Sequence, residues 1–336
     1  MADKDRQTKN IGIVVIGAGS IGVQHCHALQ DIRGVIPVVV SRRLECAQDL
    51  TQPGVSVVKH LKDALSFNTS FAIIASETIS HVEHSLEAMA AGLTLLVEKP
   101  LAIDSIEANK IHSVAKISKK LVFVGCVLRF SDSLNKFRAI LHNLGKIYSV
   151  RIECQSYLPS WRTNRPYREC YSASLEEGGV LRDLIHEIDY ACWIFGWPDS
   201  IYGKIANLGV LDIDSEEVAE LLWTIQEGPF VSIRLDYITQ LPRRKMTAYG
   251  EDGYLEWDGI ANTVTLTKNN SVAEKFEFHQ TKKEMLTTQA MALLYSGIGS
   301  EYSMLATGEE GVKALAVCDA ARKASSTGVE EKISYQ

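Results

Sequence analysis

Short apolar runs alternate with longer amphipathic stretches from residue 11 onward: IGIVVIGAG, IGVQHCHALQDI, VIPVVV, VSVV, LKDALS, FAIIAS, HVEHSLEAMAAG and LTLLVEKP. Continuous apolar runs of this length read as strands buried on both faces, and the stretches between them carry helical spacing. Strand and helix in strict succession predict a parallel sheet covered on both sides. The run LVFVGC closes this unit near residue 125, which places a first domain at 1–125. Beyond residue 145 the texture changes. IYSVRIECQSY, SIYGKIANLGVL, VAELLWTIQE, PFVSIRLDYI, KMTAYGEDGYLEWD and TVTLTK alternate inward and outward residues and are separated by Gly, Asn and Asp turns. That spacing predicts an open, mostly antiparallel sheet in an α+β domain over 126–336. One helix is expected over about 179–195 and another over EEGVKALAVCDAARKASS.

The sharpest local signal is GAGSIG. Gly17, Gly19 and Gly22 form G-x-G-x-x-G directly after a strand and before a helix. The first glycine permits a tight turn, the second lets backbone approach a pyrophosphate, and the third allows close helix packing. Unpaired N–H groups of Ser20, Ile21 and Gly22 at the helix start would then face the anion. A dinucleotide is therefore the expected cofactor. In NAD sites the second strand usually ends in an acid that accepts from the adenosine ribose. Here VIPVVV is followed by Ser41, Arg42 and Arg43. Serine and arginine suit a phosphate, so NADP is expected, with NAD as the alternative.

The composition limits the partners. A net charge of −6 over 336 residues argues against a chain that neutralises nucleic-acid phosphates. The N-terminal MADKDRQTKN lacks an apolar leader, and no apolar run reaches the length of a membrane span, so a cytoplasmic protein is expected. Seven scattered cysteines form no CxxC, which favours reduced thiols. The sets His25-Cys26-His27 and His81/His84 lack further nearby ligands, so no metal site is expected.

LLVEKPLA adds a strand that ends in Glu98-Lys99-Pro100. With the preceding ASETISHVEHSLEAMAAG, with VGCVLRF, with EEGGVLRDLIHEIDYACWIFG and with GEDGYLEWD, the chain resembles the Gfo/Idh/MocA oxidoreductases along essentially its whole length. The resemblance implies a Rossmann domain, then a domain whose sheet carries the substrate face and mediates homodimers or homotetramers. It implies hydride exchange between a nicotinamide and a sugar, sugar-nucleotide or polyol carbon. Carried onto this sequence, Lys99 is the active-site lysine, Pro100 holds its turn, and Asp183 and His186 face the substrate. Glu98, and Ser76 and His81 in the preceding loop, fall among the cofactor contacts. One departure stands out: many members of that family space the pair D-x-x-x-H, and this chain has D-L-I-H, which puts Arg182 in the acid's place when the histidines are aligned. Within one helix, positions three apart still share a face, so Asp183 is expected beside His186.

Removing a hydroxyl proton as hydride leaves carbon needs a group titrating near neutrality, which makes His186 the expected general acid/base. Lys99 would stabilise the developing alkoxide, and Asp183 or Asp189 would orient the base. The loop LPSWRTNRPYRECYSASLEEGG carries Arg162, Arg165 and Arg168 among Tyr157, Trp161, Tyr167 and Tyr171. Arginine forks and aromatic faces suit an anionic sugar derivative. A surface loop or subunit contact explains the same residues, and Arg129 either braces the two domains or touches substrate. Two further functions compete: a sugar-modifying enzyme with transient oxidation and no net redox change, and a dinucleotide-binding regulator without turnover. Retention of both Lys99 and His186 disfavours the regulator.

Overall fold

The computed structural model describes residues 10–41, 50, 54–162, 165–269, 271–296 and 304–335. The run IGIVVI forms β1 (Ile11–Ile16), α1 (Ser20–Gln30) follows the glycine turn, and β2 (Val35–Val40) lies parallel to β1. β3 (Ser56–Val58), α2 (Leu61–Ala64), β4 (Thr69–Ile74), α3 (His81–Ala90), β5 (Thr94–Val97), α4 (Ser105–Ser118) and β6 (Val122–Val124) continue the winding. The six strands are parallel, in the order 6-5-4-1-2-3, which is the doubly wound arrangement.

The second unit contains α5 (Asp132–Ile140), β7 (Ile147–Gln155), α6 (Val180–Asp183) and α7 (His186–Phe195). β8 (Ser200–Ala206), β9 (Val218–Thr224), β10 (Phe230–Asp236), β11 (Arg243–Gly250), β12 (Gly253–Asp258), β13 (Thr263–Lys268) and β14 (Glu274–Glu277) follow. The chain ends with α8 (Lys282–Tyr295), β15 (Ala306–Thr307), α9 (Gly308–Thr327) and β16 (Glu331–Lys332). The second sheet runs 14-13-12-11-7-10-9-8-16, antiparallel at every junction except β7 to β10.

The last segments return to the first unit. β15 pairs antiparallel with β6 as a seventh strand, and α8 packs on α1. In α8 apolar residues are spread around the helix, because it lies between α1 and the 127–130 turn rather than on one sheet face. α9 starts with a capping box, Thr307 with Glu310, and ends at Gly328 in the left-handed region (φ 75°), where a side chain would be strained. It packs on both α4 and β8, so one helix serves both sheets.

The side chains of β1 alternate between two cores. Ile13 and Val15 join Leu29 and Leu293 beneath α1 and α8, whereas Val14 and Ile16 join a core that runs on through α9 into the second sheet. The helix expected over 179–195 is in fact two helices. α6 ends at Asp183, and a tight turn through Leu184, where Glu187 N–H bonds the Leu184 carbonyl, restarts the helix at His186.

Arg129 is fully buried at the junction of the units. Its Nε and Nη2 donate to the two oxygens of Asp189 on α7 (3.0 and 2.7 Å), and Nη1 donates to Glu310 on α9 (3.0 Å). Such a pair contributes little relative to apolar packing, but removing one partner strands the other charge. Arg129→Met should therefore cost about 3–5 kcal/mol in urea unfolding, and adding Asp189→Leu should recover most of the loss.

Candidate active site

The glycine turn shows why those residues are glycines. Gly17 has φ 116°, and a Cβ there would lie 2.4 Å from the Ala75 carbonyl oxygen. A Cβ on Gly22 would lie 2.1 Å from the Gly17 oxygen, so α1 can pack this closely only without one. A Cβ on Gly19 would meet nothing within 4 Å. The backbone there fronts open space at the start of α1, where Gly19 supplies no side-chain cap and Ser20 is exposed. An uncapped N-terminus with an open glycine face fits a pyrophosphate, so the residues present suit a dinucleotide. Ser41 follows β2 with its N–H bonded to the Val58 carbonyl. Arg42 and Arg43 lie outside the described residues.

β5 delivers Glu98-Lys99-Pro100, with a cis Lys99–Pro100 peptide, and every part of this turn is braced. His25 of α1 donates from Nε2 to Glu98 Oε1 (2.7 Å), and the Lys99 N–H donates to Glu98 Oε2 (3.2 Å). Burial alone would raise the Glu98 pKa; the His25 contact and the charges of His25 and Lys99 outweigh it and hold the carboxyl below its usual range. Gly125 leaves Glu98 its room, since a Cβ there would sit 2.8 Å from Oε1. His81 is buried with Nδ1 3.0 Å from the Pro100 oxygen and Nε2 3.1 Å from the Ser76 oxygen. Its ring therefore clamps the turn from behind rather than lining the cleft, while Ser76 Oγ meets His84 Nδ1 at 2.9 Å.

Lys99 reaches across to the second unit. Its Nζ donates to the main-chain carbonyl of Asp183 (2.8 Å), a group at the end of α6. The Asp183 carboxylate points elsewhere: Oδ2 accepts from the Tyr237 hydroxyl at 2.6 Å, buried. Burial, then the neighbouring Asp183 charge, raises the phenols of both Tyr171 and Tyr237, so both stay protonated. Asp183 thus anchors a tyrosine pair, and no hydrogen bond joins it to His186. Asp189, the other orienting carboxylate considered, is held by Arg129. Arg182, which the resemblance puts in the acid's place, donates to the carbonyls of Ile103, Glu176 and Gly178 and acts as a loop staple.

His186 opens α7 with Nδ1 sealed and unpartnered, which leaves Nε2 as the ring nitrogen that can face the cleft. Desolvation, then the charges of Lys99, Arg244 and Lys282, drives its pKa well below the usual value. Arg244 is itself paired, donating from Nε to the buried Glu187 (2.7 Å).

The arginine loop divides. Arg162 lies over the Tyr171 ring (5.2 Å), next to the Asp183 cluster. Trp161 stands edge-on to Tyr237 (5.4 Å) and donates from Nε1 to Ser156, and Tyr157 packs against the core. Arg165 and Arg168 are exposed and spent locally, on the Glu169 and Asp212 carbonyls. Arg129 lies inside the interdomain packing, so it is a brace and not a surface for substrate. Sequence reasoning missed His25, Tyr237, Arg244 and Lys282. His25 carried a signal, three residues past the last glycine of the turn. Tyr237 follows Asp236 and both are buried, which breaks the in-out alternation that marked β10. Lys282 had no local signal.

Comparisons with known proteins bear on the two units as a whole. Residues 11–126 fit the model for the oxidoreductase family with an NAD-binding Rossmann fold, and residues 138–256 fit the GFO/IDH/MocA C-terminal domain. The chain belongs to the Gfo/Idh/MocA oxidoreductase family. It is 23% identical to UDP-N-acetylglucosamine 3-dehydrogenase of Acidithiobacillus ferrooxidans over 254 residues, 74% of each chain. It is 26% identical to inositol 2-dehydrogenase of Corynebacterium glutamicum over 199 residues, 56% of this chain and 55% of that protein. An Agrobacterium radiobacter oxidoreductase solved with NAD+, L-tartaric acid and magnesium superposes with a TM-score of 0.84 at 19% identity, covering 96% of this chain and 98% of that one, which shows a shared fold. Among the described residues no cluster of metal-ligating side chains occurs, and no helix is long and apolar enough to cross a membrane.

The low pKa of His186 can be tested directly. Following the His186 ring protons by NMR should give a midpoint below the ordinary value of about 6.5. The sign for stability follows: below that value the unfolded chain binds a proton that the folded chain refuses, so the His186 contribution is lost as pH falls. A midpoint at or above 6.5 would contradict the electropositive, desolvated setting.

Proposed function

We propose that this family member transfers hydride between NADP(H) and a hydroxyl-bearing carbon of a sugar, sugar-nucleotide or polyol, with His186 as general acid/base. The observation that carries this reading is a partly buried imidazole, kept neutral by desolvation and the Lys99 charge, next to a lysine turn that His25–Glu98 ties to the helix of a dinucleotide-fitting glycine turn. The nicotinamide, when bound, takes up the hydride. In the oxidative direction His186 Nε2 accepts the hydroxyl proton, and the Lys99 ammonium stabilises the negative charge that grows on that oxygen. A base that is neutral at pH 7 is ready for this step. The Asp183 carbonyl holds Lys99 in place without neutralising it, since a carbonyl carries no net charge. Gly17, Gly19, Ser20, Ile21 and Gly22 would hold the pyrophosphate, and Ser41 with Arg42 and Arg43 favours NADP over NAD. Arg162, with Trp161 beside it, supports a substrate bearing a negative group.

The test is absorbance at 340 nm with NADP+ and NAD+ separately, against nucleotide sugars, sugar phosphates, sugar acids and inositols. Turnover with NADP+ is expected to exceed that with NAD+. Lys99→Ala and His186→Ala should each lower kcat by at least about a hundredfold, the scale of one general acid/base contribution. Full turnover in either variant would refute the assignment.

A homodimer or homotetramer is part of the same reading. The helices cover one face of the second sheet, and the other bears exposed Tyr202, Leu222, Phe230, Tyr249 and Tyr254 beside ion pairs such as Arg234–Glu220. A broad mixed face of this kind suits self-association. Light scattering should give a mass of two or four chains, and Phe230→Glu with Leu222→Glu should shift it toward one.

A further inference from the structure

The ionic groups around this site are not all paired with one another. Glu98 uses one oxygen on His25 and the other on the Lys99 N–H, and Glu187 is taken by Arg244. The Asp183 carboxylate is held by Tyr237. Two ammonium groups remain. Lys99 is placed by the Asp183 carbonyl, and Lys282 has no hydrogen-bond or ion-pair partner among the described residues.

The position of Lys282 is fixed. It is the first residue of α8, straight after the Thr281 cap that forms a capping box with Glu284. Gln280, two residues before it, donates to the Phe130 carbonyl and accepts from the Asp132 N–H, which ties this corner to the 127–130 turn. The next residue, Lys283, pairs with Asp31, and Thr287 bonds the Ala28 carbonyl, which ties α8 to the cofactor helix. A helix start pinned from both sides thus carries an ammonium into the charge field of Glu98, Lys99, Arg244 and His186, residues from three other elements. Lys282 remains exposed enough for a ligand to reach.

Building on the hydride-transfer reading above, we propose that Lys282 is a substrate-binding residue that receives an anionic substituent, phosphoryl or carboxylate, on the sugar or polyol. Desolvation and the like charges of Lys99 and Arg244 lower the Lys282 ammonium below the usual lysine range, with Glu98 opposing; an arriving anion relieves that cost. The same anion offsets the positive field on His186. Arg162 lies over the Tyr171 ring beside the Asp183 cluster, a different position from the start of α8.

The experiment is calorimetric titration of the full chain, saturated with NADPH, with glucose 6-phosphate, glucuronate and glucose, in the wild type, Lys282→Ala and Lys282→Arg. An anionic sugar is expected to bind at least about tenfold tighter than glucose, as a charge-assisted contact implies. Lys282→Ala should erase that margin and Lys282→Arg should keep most of it, with the NADPH affinity and unfolding midpoint unchanged. The two anionic probes separate phosphoryl from carboxylate preference. No margin in the wild type, or a margin that survives in Lys282→Ala, overturns the proposal. A fall in NADPH affinity with the margin intact assigns Lys282 to the dinucleotide phosphates and also overturns it. Turnover at 340 nm without any margin leaves hydride transfer standing and removes only the anion subsite. A Lys282-dependent margin without turnover on any substrate does the reverse.

Discussion

The contact between Lys99 Nζ and the Asp183 carbonyl is the hinge of this molecule's chemistry. A carbonyl within a continuous helix is committed to the N–H four residues on. Because α6 stops at Asp183 and α7 starts afresh at His186, that carbonyl is free to hold the lysine, and the imidazole three residues later opens a helix beside it. Lysine and histidine come from different units, so their meeting depends on how the two units pack. The break in the helix and the placement of the cation are one structural event.

What surrounds that contact is support. On the Rossmann side, His25, Glu98, Gly125 and His81 hold the Glu-Lys-Pro turn from three directions, and His25 belongs to the helix that follows the glycine loop. The cofactor turn and the lysine are thereby linked through one buried carboxylate. On the other side, Arg129 fixes α7 through Asp189 and fixes α9 through Glu310. A buried charge without a partner is costly, so each of these groups constrains its neighbour's position as strongly as packing does. The groups proposed to act on a ligand are ones this network leaves without a carboxylate partner: His186, Lys99 and Lys282.

The same logic explains why the acidic member of the family pair acts differently here. Asp183 lies three residues before His186, and its carboxylate turns into the protein to meet Tyr237. Its backbone, not its side chain, faces the lysine. His186 consequently has no carboxylate against it and feels mainly cations, which favours the neutral base. In the nearby loop only Arg162 faces this cluster, and the outer arginines are satisfied by local carbonyls.

Features that depend on neighbours in the chain were determined by the sequence itself. The alternation of apolar runs gave the parallel and antiparallel sheets, because strand burial is written residue by residue. The glycine spacing gave the cofactor turn, because each glycine answers a steric demand made within a few residues. Glu98-Lys99-Pro100 and His186 were legible for the same reason, as short motifs in recognisable settings. Tertiary structure decided what those groups touch. The spacing of Asp183 and His186 was compatible with one helix face, and only packing against Lys99 and Tyr237 shows a break that separates them. Asp189 and Arg129 each read equally well as site residues until burial joined them to each other. Tyr237, Arg244 and Lys282 join this cluster from segments far along the chain, where nothing local distinguishes a side chain that joins it from a solvated one. Electrostatic partnership is set by distance in space, and a linear sequence records only distance along the chain.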